Sequence, residues 1–270
     1  MKGMKLTFLH VFIARTAVPR HPLTLSHYWC RHFVRVDAMH SKDLRGLTAI
    51  CSGSLIMHLI THSGKLGDNR ETRLAKLNER MRRFQIDNGT SHLMPMLRLQ
   101  DLQTNQWHML SGPLVKAANT RALVPFMKHC AHEYLSPHGG YASAARQVFD
   151  ALFEIERIMY SSEMFLTDEQ KQEFRDQFLK LGLAFMHLRH DSHLRSIDAW
   201  QITPKVHVCM HLPAQADLIN PRFCQVYGEE SLMGRVARLW RSAASGPYHA
   251  SIQLSCLSRW WTGLEVRLNV

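Results

Sequence analysis

The strongest constraint on this chain is a pair of long amphipathic segments set one after the other. Val148, Leu152, Ile155, Ile158 and Met159 recur at helical spacing within residues 142–164 and form one apolar stripe. Thr167-Asp168-Glu169-Gln170 follows, a capping box in which a threonine and a glutamine satisfy the first free amides of a new helix. From there Phe174, Phe178, Leu181, Phe185 and Leu188 make a second stripe running to about His190. An apolar stripe has to be covered, so both are expected to be core and the centre of the chain a helical pair.

The flanks read less regularly. His32-Phe33-Val34-Arg35-Val36-Asp37 is a short β-branched run that predicts a strand. Asp37 at its end is placed for a metal or substrate, or else caps a turn. Residues 44–60 carry Leu44, Leu47, Ile50, Cys51, Leu55, Met57 and Leu59 and predict a buried helix weakened by Gly46 and Gly53. Residues 70–83 form a highly charged helix, read mainly as a solvated face, with Asp87-Asn88-Gly89 as a turn. A further helix is expected from Gly112-Pro113 through Phe126, bent at Pro125. Arg189-His190-Asp191-Ser192-His193 reads as a solvated helix end, and residues 231–261 as helical with Arg235, Arg238 and Arg241 on one side.

Composition narrows the class. A hydrophobic content of 46% fits a folded core rather than a disordered chain. The net charge of +11, with 18 histidines in reserve, suits a polyanionic partner such as DNA as well as it suits a merely basic protein. The six cysteines are scattered without a C-x-x-C pair, which argues against a zinc finger or a disulfide framework and for buried thiols. The apolar run 6–18 is broken by His10 and Arg15 and lacks a cleavage site, and no uninterrupted apolar stretch reaches membrane-spanning length. An intracellular protein without signal peptide or transmembrane helix is expected.

Chemistry-bearing residues concentrate late in the chain. Pro204 can open a helix, because the first turn needs no amide donor there. If Lys205 to Leu212 is helical, His207 and His211 share a face. Gly228 then allows a turn, and Glu229 and Glu230 begin a second helix whose positive end suits carboxylates.

Four blocks in this order resemble the eukaryotic cut-and-paste DNA transposases of the CACTA-like and Kyakuja–Dileera–Zisupton groups. Val36-Asp37-Ala38-Met39-His40 with Asp43-Leu44-Arg45-Gly46 resembles their D-x-M-H … L-G block. Leu114 to Arg121 is similar to their L-K-A-x-E-x-R helix. Ile202 to His207 with His211-Leu212-Pro213 resembles P-K-x-H-x-x-x-H, and Glu230-Ser231-Leu232-Met233-Gly234 resembles E-R-x-M-G. The resemblance covers about residues 25–245. It implies a mainly α chain with a small α/β part, the remnant of an RNase H-like core carrying a long helical insertion. Residues 1–24 are then an irregular N-terminus, 25–66 the strand–helix part of the core, 67–198 the insertion and 199–270 the C-terminal helical part.

By the same resemblance, two Asp and one Glu hold two divalent ions, Mg²⁺ or Mn²⁺, that activate the attacking oxygen and stabilise the leaving one. Asp37 would be the second metal-binding and catalytic Asp, and Glu230 the catalytic Glu, with Glu229 as the near alternative. His40, Lys205, His207 and His211 would flank the site and touch phosphate. The chain departs from the pattern: Arg45 breaks the L-G pair, Asn119 replaces a Glu, and residues 1–36 contain no Asp or Glu, so the first catalytic Asp is missing. The expectation is a C-terminal part of a transposase in the nucleus, binding DNA through a basic surface and inactive in cleavage unless an oligomer or a missing N-terminal part acts in trans. Two alternatives stand beside it: a non-catalytic helical nucleic-acid-binding or interaction protein, and a mononuclear zinc protein using His207, His211 and Glu230.

Overall fold

The structure, a computed structural model, describes residues 35–89, 94–102, 107–112, 116–136 and 138–225. The chain divides into two compact units, residues 1–35 and 36–270, and all the described residues except Arg35 belong to the second. These residues are mainly helical and contain no strand. The strand expected at 32–37 is not formed where it can be followed. Residues 35–37 are extended but unpaired as a ladder, and Val36 is held instead by a side chain, its N–H donating to Gln215 Oε1 at 2.6 Å. Residues 32–34 lie outside the described residues.

A single turn of π-helix, Met39–Asp43, follows Asp37 and leads into α1, Leu47–His62. Nearly every side chain of α1 is buried, which is why its sequence shows no polar face beyond one short stripe. Met39–His62 is long and apolar enough to cross a membrane by composition, but 78% of its most apolar window is buried in the fold, as befits a core helix. Its two glycines are close approaches. A Cβ on Gly46 would sit 2.1 Å from Ser41 O, and one on Gly53 would sit 2.5 Å from the backbone of Met109. The predicted weakness of this helix is thus the condition for packing backbone against it: Leu110 N–H donates to Ala49 O at 3.0 Å.

Helix α2, Arg70–Asp87, is capped by Asn69, whose side chain accepts from Thr72 N–H at 2.9 Å. Most of its charged residues are exposed, as expected, while Arg73 is half-buried. Arg73 reaches back to the carbonyls of Ile60, Thr61, Gly67 and Asp68 at 2.6–3.3 Å and so closes the C-terminus of α1. Arg80 pairs with Glu133 and Arg83 with Glu79. Asn78 clamps Leu97 by two backbone bonds of 2.8 and 2.9 Å.

The helix expected from Gly112 begins only at Ala117. It breaks at Leu123 into α3, Ala117–Ala122, and α4, Val124–Tyr134. Pro125 falls in the first turn of α4, where its missing N–H is harmless. Helices α5, Gly140–Ser161, and α6, Asp168–Leu194, form the expected antiparallel pair, the most extensive packing among the described residues. All ten residues of the two predicted stripes are buried. The Thr167 box is formed, and α6 runs four residues beyond the expected end at His190. Asn220, fully buried, donates to the carbonyls of Met159, Ser162 and Glu163 and thereby caps α5. The chain then turns through α7, Pro204–Cys209, and α8, Leu212–Ala216.

Candidate functional site

Three of the four sequence blocks meet at one place. The Met39–Asp43 turn packs against α7, against α3 and against the start of α1. It therefore gathers block 36–46, block 114–121 and block 202–213, the outer two of which are separated by more than half the chain. Pro204 opens α7 as expected, and Thr203 Oγ1 accepts from Val206 N–H at 3.4 Å. Lys205, the second residue of α7, donates to Leu44 O at 2.5 Å. Burial and the Arg45 charge push its ammonium below the ordinary lysine range, while Asp37 works the other way.

Asp37 itself is engaged locally. Its Oδ1 accepts from Met39 N–H at 2.9 Å, and its Oδ2 pairs with His40 Nδ1. It thus caps the π-turn and holds a histidine that is exposed to solvent. His207 and His211 stand next to each other as predicted, with ring centroids 5.0 Å apart at 85° and Nε2 atoms 3.4 Å apart. Burial and the neighbouring His207 lower the pKa of His211. Glu229 and Glu230 lie outside the described residues, as do the 231–261 helix and its arginines. Among the described residues no group of three His, Cys, Asp or Glu side chains could hold a metal ion. Asp37 has its oxygens engaged by the turn and by His40.

Behind this surface lies a buried ionic cluster that the sequence reading did not single out. Lys42 is fully buried and bonds to Asp43 and to Glu156, which comes from α5. Thr48 Oγ1 adds a bond to Asp43 Oδ1 at 3.2 Å. Burial opposes the Lys42 ammonium, but the charges and hydrogen bonds of Asp43 and Glu156 outweigh it, so the lysine keeps its proton well above the ordinary range. Burial raises the Glu156 carboxyl against the pull of Lys42, and its Oε2 is buried without a partner. Cys209 of α7 lies against the cluster, its thiol pushed up by burial to about 12, which makes it a packing residue rather than a nucleophile. A sequence signal existed: Glu156 is four residues after Leu152, on the apolar stripe of α5.

A second cluster surrounds a chamber of about 330 Å³ at the C-terminal half of α1. His58 stacks on Tyr141 at 4.2 Å between centroids, and His62 stands 4.9 Å from His58. Burial first, then His62 and Arg195, lowers the pKa of His58 to about 4. Asp191, Ser192 and Arg195 enter from the end of α6, the stretch expected to be merely solvated. Loop 196–200 closes the side: Ile197 N–H donates to Ser192 O, His108 N–H to Asp198 O and Trp200 N–H to Ser54 Oγ, at 2.8–3.0 Å. Here too a signal was present, since Ser54, His58, Thr61 and His62 form one polar stripe on an otherwise apolar helix.

Comparison with protein-family models, with curated proteins and with solved structures finds no match to this chain.

Proposed function

We propose that the protein is a transposase-derived, nuclear DNA-binding protein that does not cleave DNA by itself. The observation that carries this reading is the convergence of three transposase-like blocks on the Met39–Asp43 turn. Residues brought together from distant parts of the chain are what a shared ancestral site requires, whereas chance motif matches have no reason to meet. Where Arg45 breaks the resembled L-G pair, φ is 52°, a left-handed conformation suited to glycine. Around Asp37 the exposed His40, Arg45 and His207 and the half-buried Lys205 offer cationic groups to a phosphate backbone. Residues 1–36 contain no Asp or Glu, so the first Asp of the resembled pattern has no counterpart there.

Fluorescence anisotropy with duplex DNA tests the reading. About three phosphate contacts imply roughly a 40-fold loss of affinity between 50 and 200 mM salt. An R45A/K205M variant should flatten the slope of log affinity against log salt by about two. Binding that ignores salt or the double substitution would refute it, and DNA cleavage with Mg²⁺ or Mn²⁺ would refute the non-catalytic part.

One geometric observation favours a second reading. The 3.4 Å between His207 Nε2 and His211 Nε2 is about the separation of two ligands on a tetrahedral ion at ~2.0–2.1 Å. Equilibrium dialysis against zinc decides it: a stoichiometric ion lost in H207A supports a zinc protein, and no retained ion rejects it.

A further inference from the structure

The chamber beside His58 has no part in the DNA-binding reading. It opens at the C-terminal half of α1, whereas the Met39–Asp43 turn precedes the N-terminus of that helix. At about 330 Å³ it stands at the small end of ligand pockets, roughly 300–1,000 Å³, which suits one ring system with a charged substituent. Its walls are ring-rich: His58 stacked on Tyr141, and Tyr141 set edge-on to Trp200 at 6.4 Å. Its rim is cationic, with exposed Arg70 and Arg195 against the single carboxylate of Asp191, which Arg195 already engages at 3.0 Å.

Two further features mark the chamber. Asp191 Oδ2, on a wall residue, is buried and makes no hydrogen bond. A bare buried carboxylate oxygen is uncommon and calls for an explanation. Ser196 and Trp200 also have φ of 54° and 53°, a left-handed backbone that non-glycine residues rarely adopt. Both lie in loop 196–200, and strain of this kind gathers at ligand clamps.

We propose that the chamber binds a small aromatic anion of the nucleoside monophosphate class, its ring against His58 and Tyr141 and its phosphate between Arg70 and Arg195. The two rim arginines also help to keep the nearby imidazoles neutral: Arg195, after burial and His62, lowers His58, and Arg70, after burial and against Asp198, lowers His108. A bound phosphate reverses that bias, so binding takes up protons. The groups facing His58 are His62 on its own helix, Tyr141 from α5, and Asp191 and Arg195 from α6.

Isothermal titration of 5′-AMP and 5′-TMP into the full chain tests this, with adenosine and inorganic phosphate as separate probes. The expected result is saturable binding of the nucleotides, at least about tenfold weaker binding of adenosine or phosphate alone, and at least about tenfold weakening in the surface variant R70A/R195A, each step corresponding to about 1.4 kcal/mol. Repeating the titration in two buffers of different ionisation enthalpy should reveal proton uptake, reduced in H58Q. No saturable heat at millimolar nucleotide, equal binding of phosphate and AMP, or unchanged binding in R70A/R195A would overturn the proposal. The R45A/K205M variant separates it from the DNA reading: it should leave AMP binding intact, just as R70A/R195A should leave duplex binding intact.

Discussion

Replacing Lys42 by methionine probes the region where the blocks meet. The side chain is fully buried and its ammonium is shared by Asp43 and Glu156, so K42M keeps the volume and removes a cation bonded to both. Asp43 retains Thr48, at 3.2 Å, while Glu156, 13% exposed, loses the partner of its Oε1 and already has none at Oε2. Breaking a buried ion pair from one side costs about 3–5 kcal/mol, because an uncompensated charge is left behind. At roughly 2–4 °C per kcal/mol for a chain of this size, Tm should fall by roughly 6–20 °C. The loss is electrostatic, so it should depend on pH. Lys42 is held above its ordinary range, and its contribution persists up to strong alkali. In K42M the two carboxyls can relax by taking up protons, so the gap between variant and wild type should narrow as pH falls from 8 to 5. Adding E156Q to K42M should recover part of the stability. Urea titrations of the three proteins at both pH values provide the test. A K42M protein within about 1 kcal/mol of wild type, or a gap indifferent to pH, would refute the assignment of this cluster as a compensated ionic group.

Other substitutions address separate features. G53A should destabilise by up to about 2 kcal/mol: overpacking against Met109 costs about 1–3 kcal/mol, offset by a helix propensity gain of ~1 kcal/mol. G64A, with nothing within 4 Å of the new Cβ, should melt like wild type. R45G should stabilise by about 1 kcal/mol, because relief of the left-handed backbone, ~1–2 kcal/mol, exceeds the added freedom of the unfolded chain, ~0.4–1 kcal/mol. His58, held near 4 in the fold against 6.5 when exposed, contributes stability above pH 6.5 that is lost as pH falls towards 4, at most roughly 3 kcal/mol. In H58Q that part of the pH–stability curve should be flat.

What the sequence made legible and what it hid follow from the range of the interactions. The stripes of α5 and α6, the Thr167 box and the Pro204 start are set by residues within a few positions of one another, and each was read correctly. The pairing of Lys42 with Glu156 spans 114 residues, so only a misfit on the α5 stripe hinted at it. Gly46 and Gly53 read as weaknesses because propensity is a local quantity, and the backbones they admit arrive from elsewhere. The strand expected before Asp37 rested on a few β-branched residues, and a side chain from α8, Gln215, takes the backbone bonds that a neighbouring strand would have made. The chamber was missed for the opposite reason: each histidine and the run at 189–193 has an innocent local reading, and only the fold assembles them.

The α5–α6 pair also has a consequence for the order in which the chain folds. Its two helices are joined by six residues and can meet after closing a short loop. The bonds that assemble the candidate site join residues far apart, Val36 to Gln215 and Leu44 to Lys205, and close loops of more than 150 residues. Such contacts form late in folding. Substitutions around the Met39–Asp43 turn should then speed unfolding and leave the folding rate nearly untouched, while those on the α5 and α6 stripes slow folding. The surface proposed to meet DNA should be the part of the molecule that comes together last and comes apart first.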